Sequence, residues 1–202
     1  MGRLEEAALS LSYAKSAKGD TDRLKSIMAD AYDYAIVLGD NYADTLVVGG
    51  QSQKLLFEGG AAREAHAILL YAVMYNESGM RPHIERCDCS KGDGDCDQGK
   101  AAGLPQIHKD HFHGHSKAEI CADRKLQIKL ESAVLAQKKT NCGSFHLTLG
   151  GYNAGECVIP APTVEGRPGY VDRASRVFQI LLRKAKIDVR QQGRQWVATA
   201  LP

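Results

Sequence analysis

The sequence predicts a mainly α-helical single domain, stabilised by disulfides, with a cysteine-rich loop or small β region set among the helices. Three observations predict it. Apolar residues recur at three- and four-residue spacing through much of the chain. Alternating β-branched runs are scarce, which leaves room for at most a short hairpin or small sheet. Six cysteines, an even number, all fall between residues 87 and 157 of the 202.

The helices follow in order. Residues 4–17 carry a weak helical pattern. Leu24, Ile27, Met28, Ala31, Ala35 and Leu38 mark a stronger one, with Asp20 or Thr21 to cap its start and Gly39 to end it. Residues 41–60 are less regular and are punctuated by paired glycines. From Ala61 to Glu77 the apolar residues wrap nearly all round, so this helix is expected to be buried. Residues 79–102 form a polar loop with Pro82, Asp88, Asp93, Asp95 and Asp97 and the first three cysteines. So long an ordered loop is usually functional. A helix is expected over 117–138 and turn-rich chain over 143–162. A last helix starts near Tyr170, with Val171, Ala174, Val177, Phe178, Leu181 and Leu182 on its apolar side. The pattern after Ile187 specifies no element.

Composition excludes several classes. Twenty-six basic against 24 acidic residues leave a net charge of +2, so no global charge favours nucleic acid. No apolar run reaches the roughly 18 residues that a bilayer span needs. The cysteines point to an oxidising setting, periplasmic or secreted. Their pairing stays open, except that Cys87 and Cys89 are too close to bond comfortably. Met1-Gly2-Arg3 leads directly into a helical pattern with no signal-peptide signature, so export implies a leader that was removed.

Glu77 is the residue whose position suggests chemistry. It ends the buried helix and faces a polar loop. Burial and the negative end of the helix both disfavour its charge, which suits a general acid near neutral pH. Three further segments follow in order: Gly103-Leu104-Pro105-Gln106, Gly151-Tyr152-Asn153-Ala154-Gly155, and Tyr170-Val171-Asp172-Arg173 at a helix start. With Glu77-Ser78-Gly79, this set resembles the soluble lytic transglycosylase and goose-type lysozyme superfamily. Those enzymes carry a Glu-Ser pair at a helix end, a Gly-Leu-Met-Gln segment and an Ala-Tyr-Asn segment. The resemblance covers residues 61–186 as a catalytic core, with 1–60 as a helical N-terminal extension and 187–202 as a tail.

The resemblance implies a lysozyme-like fold and cleavage of the β-1,4 bond between N-acetylmuramic acid and N-acetylglucosamine in peptidoglycan. Glu77 would protonate the leaving oxygen as an oxocarbenium-like sugar forms. Gln106 would line the groove. Tyr152 and Asn153 would stand across it, Tyr170 would add a hydroxyl or a stacking face, and Ser78 would brace the loop or touch the substrate. His108 is a further groove candidate. The chain is expected to act as a monomer on glycan strands, with no metal or other cofactor, no nucleic acid and no membrane span. A phage-encoded lysin is a further setting for the same chemistry.

Two second steps are open. A lytic transglycosylase needs only Glu77, which takes a proton from the sugar's own 6-hydroxyl and yields an anhydro product. An inverting hydrolase needs a second carboxylate about 6.5–9.5 Å away. The spacing Asp97-x-Gly-x-x-x-Gly-Leu-x-Gln is similar to that of goose-type lysozymes, so Asp97 is the expected base and hydrolysis the expected outcome. The chain departs from the family at Pro105, where methionine is usual. It departs again at His108, where an acidic residue is common, and at Gly151, where alanine is.

Three other readings compete. Asp93-x-Asp95-x-Asp97 begins like a calcium loop, but Gln98 follows and the twelfth position is Leu104, so it is not an EF-hand. His108, His111, His113 and His115 could bind zinc, but their spacing matches no standard finger. A cell-wall glycan-binding module without turnover is the non-enzyme alternative.

Overall fold

The computed structural model describes residues 2–11, 20–35, 56–88, 99–162, 167–193 and 195–202. Its helices are α1 (Gly2–Ala8), α2 (Thr21–Tyr34), α3 (Ala62–Ser78), α4 (Pro82–Glu85), α5 (Lys117–Ala122), α6 (Arg124–Cys142), α7 (Phe145–Ala154) and α8 (Tyr170–Lys184). Two antiparallel hairpins complete it, β1 (Ala101–Ala102) with β2 (Ile107–His108) and β3 (Ile187–Gln192) with β4 (Gln195–Ala200). The chain is thus mainly helical with small sheets, as its periodicity predicts.

Helix α3 is the centre of the core. Ala65 to Met74 is buried without a break, which is what an all-round apolar helix requires. It packs against α2 on one side and α8 on another, while α6 pairs with α7 and also meets α2. Leu4, Leu24, Ile68, Phe178 and Trp196 belong to one apolar cluster. The N-terminal helices, the core and the C-terminal hairpin therefore share a single interior. Ala102, Ile107, Ile120 and Leu130 form a second, smaller cluster behind β1–β2.

Several elements differ from expectation, each for a local reason. Helix α2 stops at Tyr34, with Ala35 extended at ψ 134°; the stop expected at Gly39 lies outside the described residues. The helix expected over 117–138 is two helices. Asp123 breaks it by turning its carboxylate onto the backbone N–H groups of Lys125 and Leu126, at 2.8 and 3.2 Å, and so caps α6. Residues 143–162 are not simply turns. Ser144 accepts from the Leu147 N–H at 3.3 Å and starts α7. The glycines at 150 and 151 hide this helix from a propensity reading. Gly150 is there because the Val158 carbonyl would lie 1.8 Å from any Cβ. The tail is the β3–β4 hairpin, anchored by the buried Trp196. The polar loop contains the short α4, begun by Pro82 at its first position.

Two disulfides join Cys87 to Cys121 and Cys142 to Cys157. Cys89 and Cys96 lie outside the described residues. The bridges close loops of 34 and 15 residues, each worth about 3–4 kcal/mol on chain-entropy grounds. No helix among the described residues is long and apolar enough to cross a membrane.

An ion-pair network that the sequence does not announce ties α2 to α4 and α6. Arg23 Nε donates to Glu85 Oε2 at 2.8 Å, and its two terminal nitrogens donate to the Met80 carbonyl at 3.0 Å. Arg124 donates to Glu85 Oε1 at 3.2 Å and to Asp30 Oδ2 at 2.7 Å. The Glu85, Arg23 and Arg124 side chains are only 17%, 19% and 23% exposed. Glu85→Ala would remove one partner from each guanidinium, leaving Arg23 on Asp20 and the Met80 carbonyl and Arg124 on Asp30, so urea denaturation should show a loss of about 1–3 kcal/mol. In the Arg3–Glu64 pair Glu64 is 18% exposed but Arg3 is 37% exposed, so removing the glutamate leaves an arginine that water can reach. Glu64→Ala should cost under about 1 kcal/mol.

Candidate active site

Glu77 sits in the last turn of α3, which Gly79 ends in the left-handed conformation at φ 60°. The Gly79 N–H closes the turn on the Tyr75 carbonyl at 2.9 Å. The glutamate is thereby fixed at a helix end that opens into a cavity of about 660 Å³. Gln106, His108, Tyr152 and Asn153 line the same cavity, together with Asp110, His111 and Val134. Four of the residues expected around Glu77 are therefore brought to one place, from β2 and its turn on one side and from α7 on the other.

The walls are held by bonds the sequence did not advertise. Gln127 on α6 is completely buried. Its amide oxygen accepts from the Leu104 N–H at 2.9 Å, and its nitrogen donates to the Glu85 and Ile120 carbonyls, each at 2.9 Å. Gly103 lies against it at φ 70°, and a Cβ there would meet the Gln127 side chain at 2.2 Å. The Gly103 N–H donates to the Cys87 sulfur at 3.2 Å, which ties the turn to the Cys87–Cys121 bridge. The Tyr152 hydroxyl donates to the Pro105 carbonyl at 2.8 Å and so joins α7 to the turn.

These bonds refine the expected roles. Tyr152 spends its proton on Pro105, so it sets the width of the cavity. Gln106 is itself left-handed at φ 50° and donates to the Gly103 carbonyl at 2.8 Å, leaving part of its amide for a ligand. Asn153 is exposed at the rim. His108 lies on the lining with its Nδ1 3.2 Å from Asp110 Oδ2. Ser78, weighed as a substrate contact, does not reach the cavity. It is fully buried, donates to the Met74 carbonyl at 2.7 Å and accepts from the Met80 N–H at 3.2 Å. Tyr170 is also off the lining. It is 7% exposed, and its hydroxyl lies behind Glu77 without a closed hydrogen bond. Asp97, the expected base, lies outside the described residues, as do Asp93 and Asp95 of the calcium-like run. Among the described residues, no three His, Cys, Asp or Glu side chains are grouped to hold a metal ion.

Electrostatics follow from burial. Removal from water pushes the Glu77 carboxyl up to about 7, against the opposing pull of the Tyr170 hydroxyl and the Arg173 charge. Burial also raises the Tyr152 and Tyr170 phenols, and nearby carboxylate charge adds to it. His111 is held below its ordinary value by burial, then by the Lys138 charge. The residue missed in the sequence is Glu131 on α6. Burial first, and then the charge of Glu77, raise its carboxyl well above the usual range. Its apolar neighbours on α6 were the available signal, since a glutamate flanked by buried positions is anomalous.

No family model matches the chain, and no curated protein or solved structure matches it.

A carboxyl raised in the folded state disfavours folding once the unfolded chain has lost its proton. The penalty is absent below about pH 4.5, grows between 4.5 and 7, and is complete above 7. Glu77→Gln should therefore gain up to about 3 kcal/mol over wild type at pH 8 and nothing at pH 4. Thermal melts across that range check this prediction.

Proposed function

We propose that the chain is a peptidoglycan glycosidase of lysozyme-like fold, cleaving the β-1,4 bond between N-acetylmuramic acid and N-acetylglucosamine with Glu77 as general acid. The observation that carries this reading is one carboxyl that keeps its proton to about pH 7 at the wall of a cavity of about 660 Å³. That volume falls within the roughly 300–1,000 Å³ range of small-ligand sites. Glu77 gives its proton to the glycosidic oxygen, the C1–O bond breaks, and positive charge spreads over the sugar ring. Gln106, Asn153 and His108 supply hydrogen bonds to the sugars. Two disulfides favour an oxidising compartment, periplasmic or extracellular.

The sequence motif favours hydrolysis, with Asp97 activating the water. A lytic transglycosylase is the second reading, in which Glu77 serves both steps. What favours it is that Glu77 is the one carboxyl shielded from solvent among the described lining residues. Asp110, the other, is 72% exposed and faces His108.

Mass spectrometry of digested peptidoglycan tests the reading. Wild type should release muropeptides, and Glu77→Gln should lose about 10²–10⁴-fold in rate. Activity should fall on the alkaline side through about pH 7, because only the protonated acid can donate. Products that carry an added water, with activity lost in Asp97→Asn, establish the hydrolase. Anhydro products, with Asp97→Asn still active, establish the transglycosylase. Sedimentation with cell walls but no release by wild type would leave only a binding module.

A further inference from the structure

Glu77 is not the only carboxyl behind the cavity wall. Glu131 lies one turn before Val134 on α6, and Val134 lines the cavity. Glu131 is 0% exposed, and neither of its oxygens makes a hydrogen bond within the described chain. Buried polar groups are nearly always satisfied, so each exception calls for a reason. Folding supplies none. The neighbouring Leu130 and Ala133 are apolar and buried, and an apolar side chain of similar volume would fill the same space without a desolvated acid.

The surroundings say which of the two acids ionises. Glu131 is faced by Glu77 from α3, and its field reaches Tyr152 from α7 and Tyr170 from α8. Glu77 has in addition Arg173 from α8, whose charge favours its ionised form, and the Tyr170 hydroxyl, which does the same. Glu131 has neither, and a charge on Glu77 opposes a second one beside it. Glu77 therefore ionises first, and Glu131 keeps its proton. A protonated carboxyl is a hydrogen-bond donor, and this one is uncommitted.

Building on the glycosidase reading, we propose that Glu131 is a positioning residue for the charged form of Glu77. Its O–H, directly or through one water, donates to the carboxylate that Glu77 becomes once the leaving oxygen has taken the proton. The proton stays on Glu131, and no bond is made or broken there. Burial keeps Glu77 protonated beforehand, and Glu131 stabilises what remains afterwards. Because Glu131 has no exposed surface, it cannot activate a water in the cavity, so it is not the missing hydrolytic base.

The test is a carboxyl ¹³C NMR titration of glutamate-labelled protein, with the Glu77 signal assigned by its loss in Glu77→Gln. In Glu131→Leu, which keeps the volume and removes the donor, the Glu77 midpoint should rise by about one pH unit, tenfold in its ionisation constant. In Glu131→Gln, which restores a neutral N–H donor, it should return to within a few tenths of wild type. Turnover on peptidoglycan should fall about 10–100-fold in the leucine variant and recover in the glutamine variant. Should the leucine variant not fold, Glu131→Met takes its place. An unchanged midpoint in a folded apolar variant overturns the proposal. So does a downward shift, which would mean that Glu131 is charged in wild type and repels Glu77. The titration needs no turnover. If no protein cleaves cell wall, the glycosidase reading fails while the Glu77–Glu131 coupling is still decided.

Discussion

A carboxyl drawn out of water further than the nearby Arg173 charge can offset is the constraint around which this protein is built. Glu77 could have faced solvent, as most helix-end glutamates do. Instead α3 runs through the core, Gly79 ends it abruptly, and the side chain emerges at the inner wall of a cavity. Arg173 is near enough to be felt but is itself exposed. Its pull is weaker than the cost of desolvation, and the net result is an acid held close to neutral pH.

Holding that acid half-buried requires firm walls, and the fold spends its buried polar groups on them. Gln127 makes three bonds around the Gly103–Leu104 turn, the Cys87 sulfur takes a fourth group of the same region, and Tyr152 closes α7 onto Pro105. Arg23 and Arg124 converge on the side chain of Glu85, three residues after α4 begins and the same residue whose carbonyl Gln127 holds. The N-terminal helices are thus fastened to the chain that follows Glu77. Rigidity around a titrating group matters because a raised acid survives only while water is kept from relaxing around its charge.

Much of this was legible in the chain itself. The all-round apolar run of α3 predicted burial, and its last residue was the natural place for a perturbed carboxyl. The ordered segments at Gln106 and Tyr152-Asn153 were read as neighbours of Glu77, and they share its cavity. Of the two roles read for Ser78, the structure has the brace and not the substrate contact, because its hydroxyl bonds back to Met74 and takes the Met80 N–H. Helix α7 and the C-terminal hairpin were obscured for different reasons. The helix carries glycines needed for a close backbone crossing, and the hairpin is rich in Arg and Gln on its solvent face. Gln127, Glu85 and Glu131 were invisible because each acts on partners far away in sequence, and no spacing rule joins residue 77 to residue 131.

The account stands on the claim that a glycan lies with its scissile oxygen against Glu77. The most direct measurement is a crystal structure of the Glu77→Gln protein with a peptidoglycan tetrasaccharide. The account predicts a glycosidic oxygen within about 3 Å of the substituted amide, with sugars flanked by Gln106 and Asn153. A saccharide bound elsewhere on the surface, with the cavity holding only water, would contradict it.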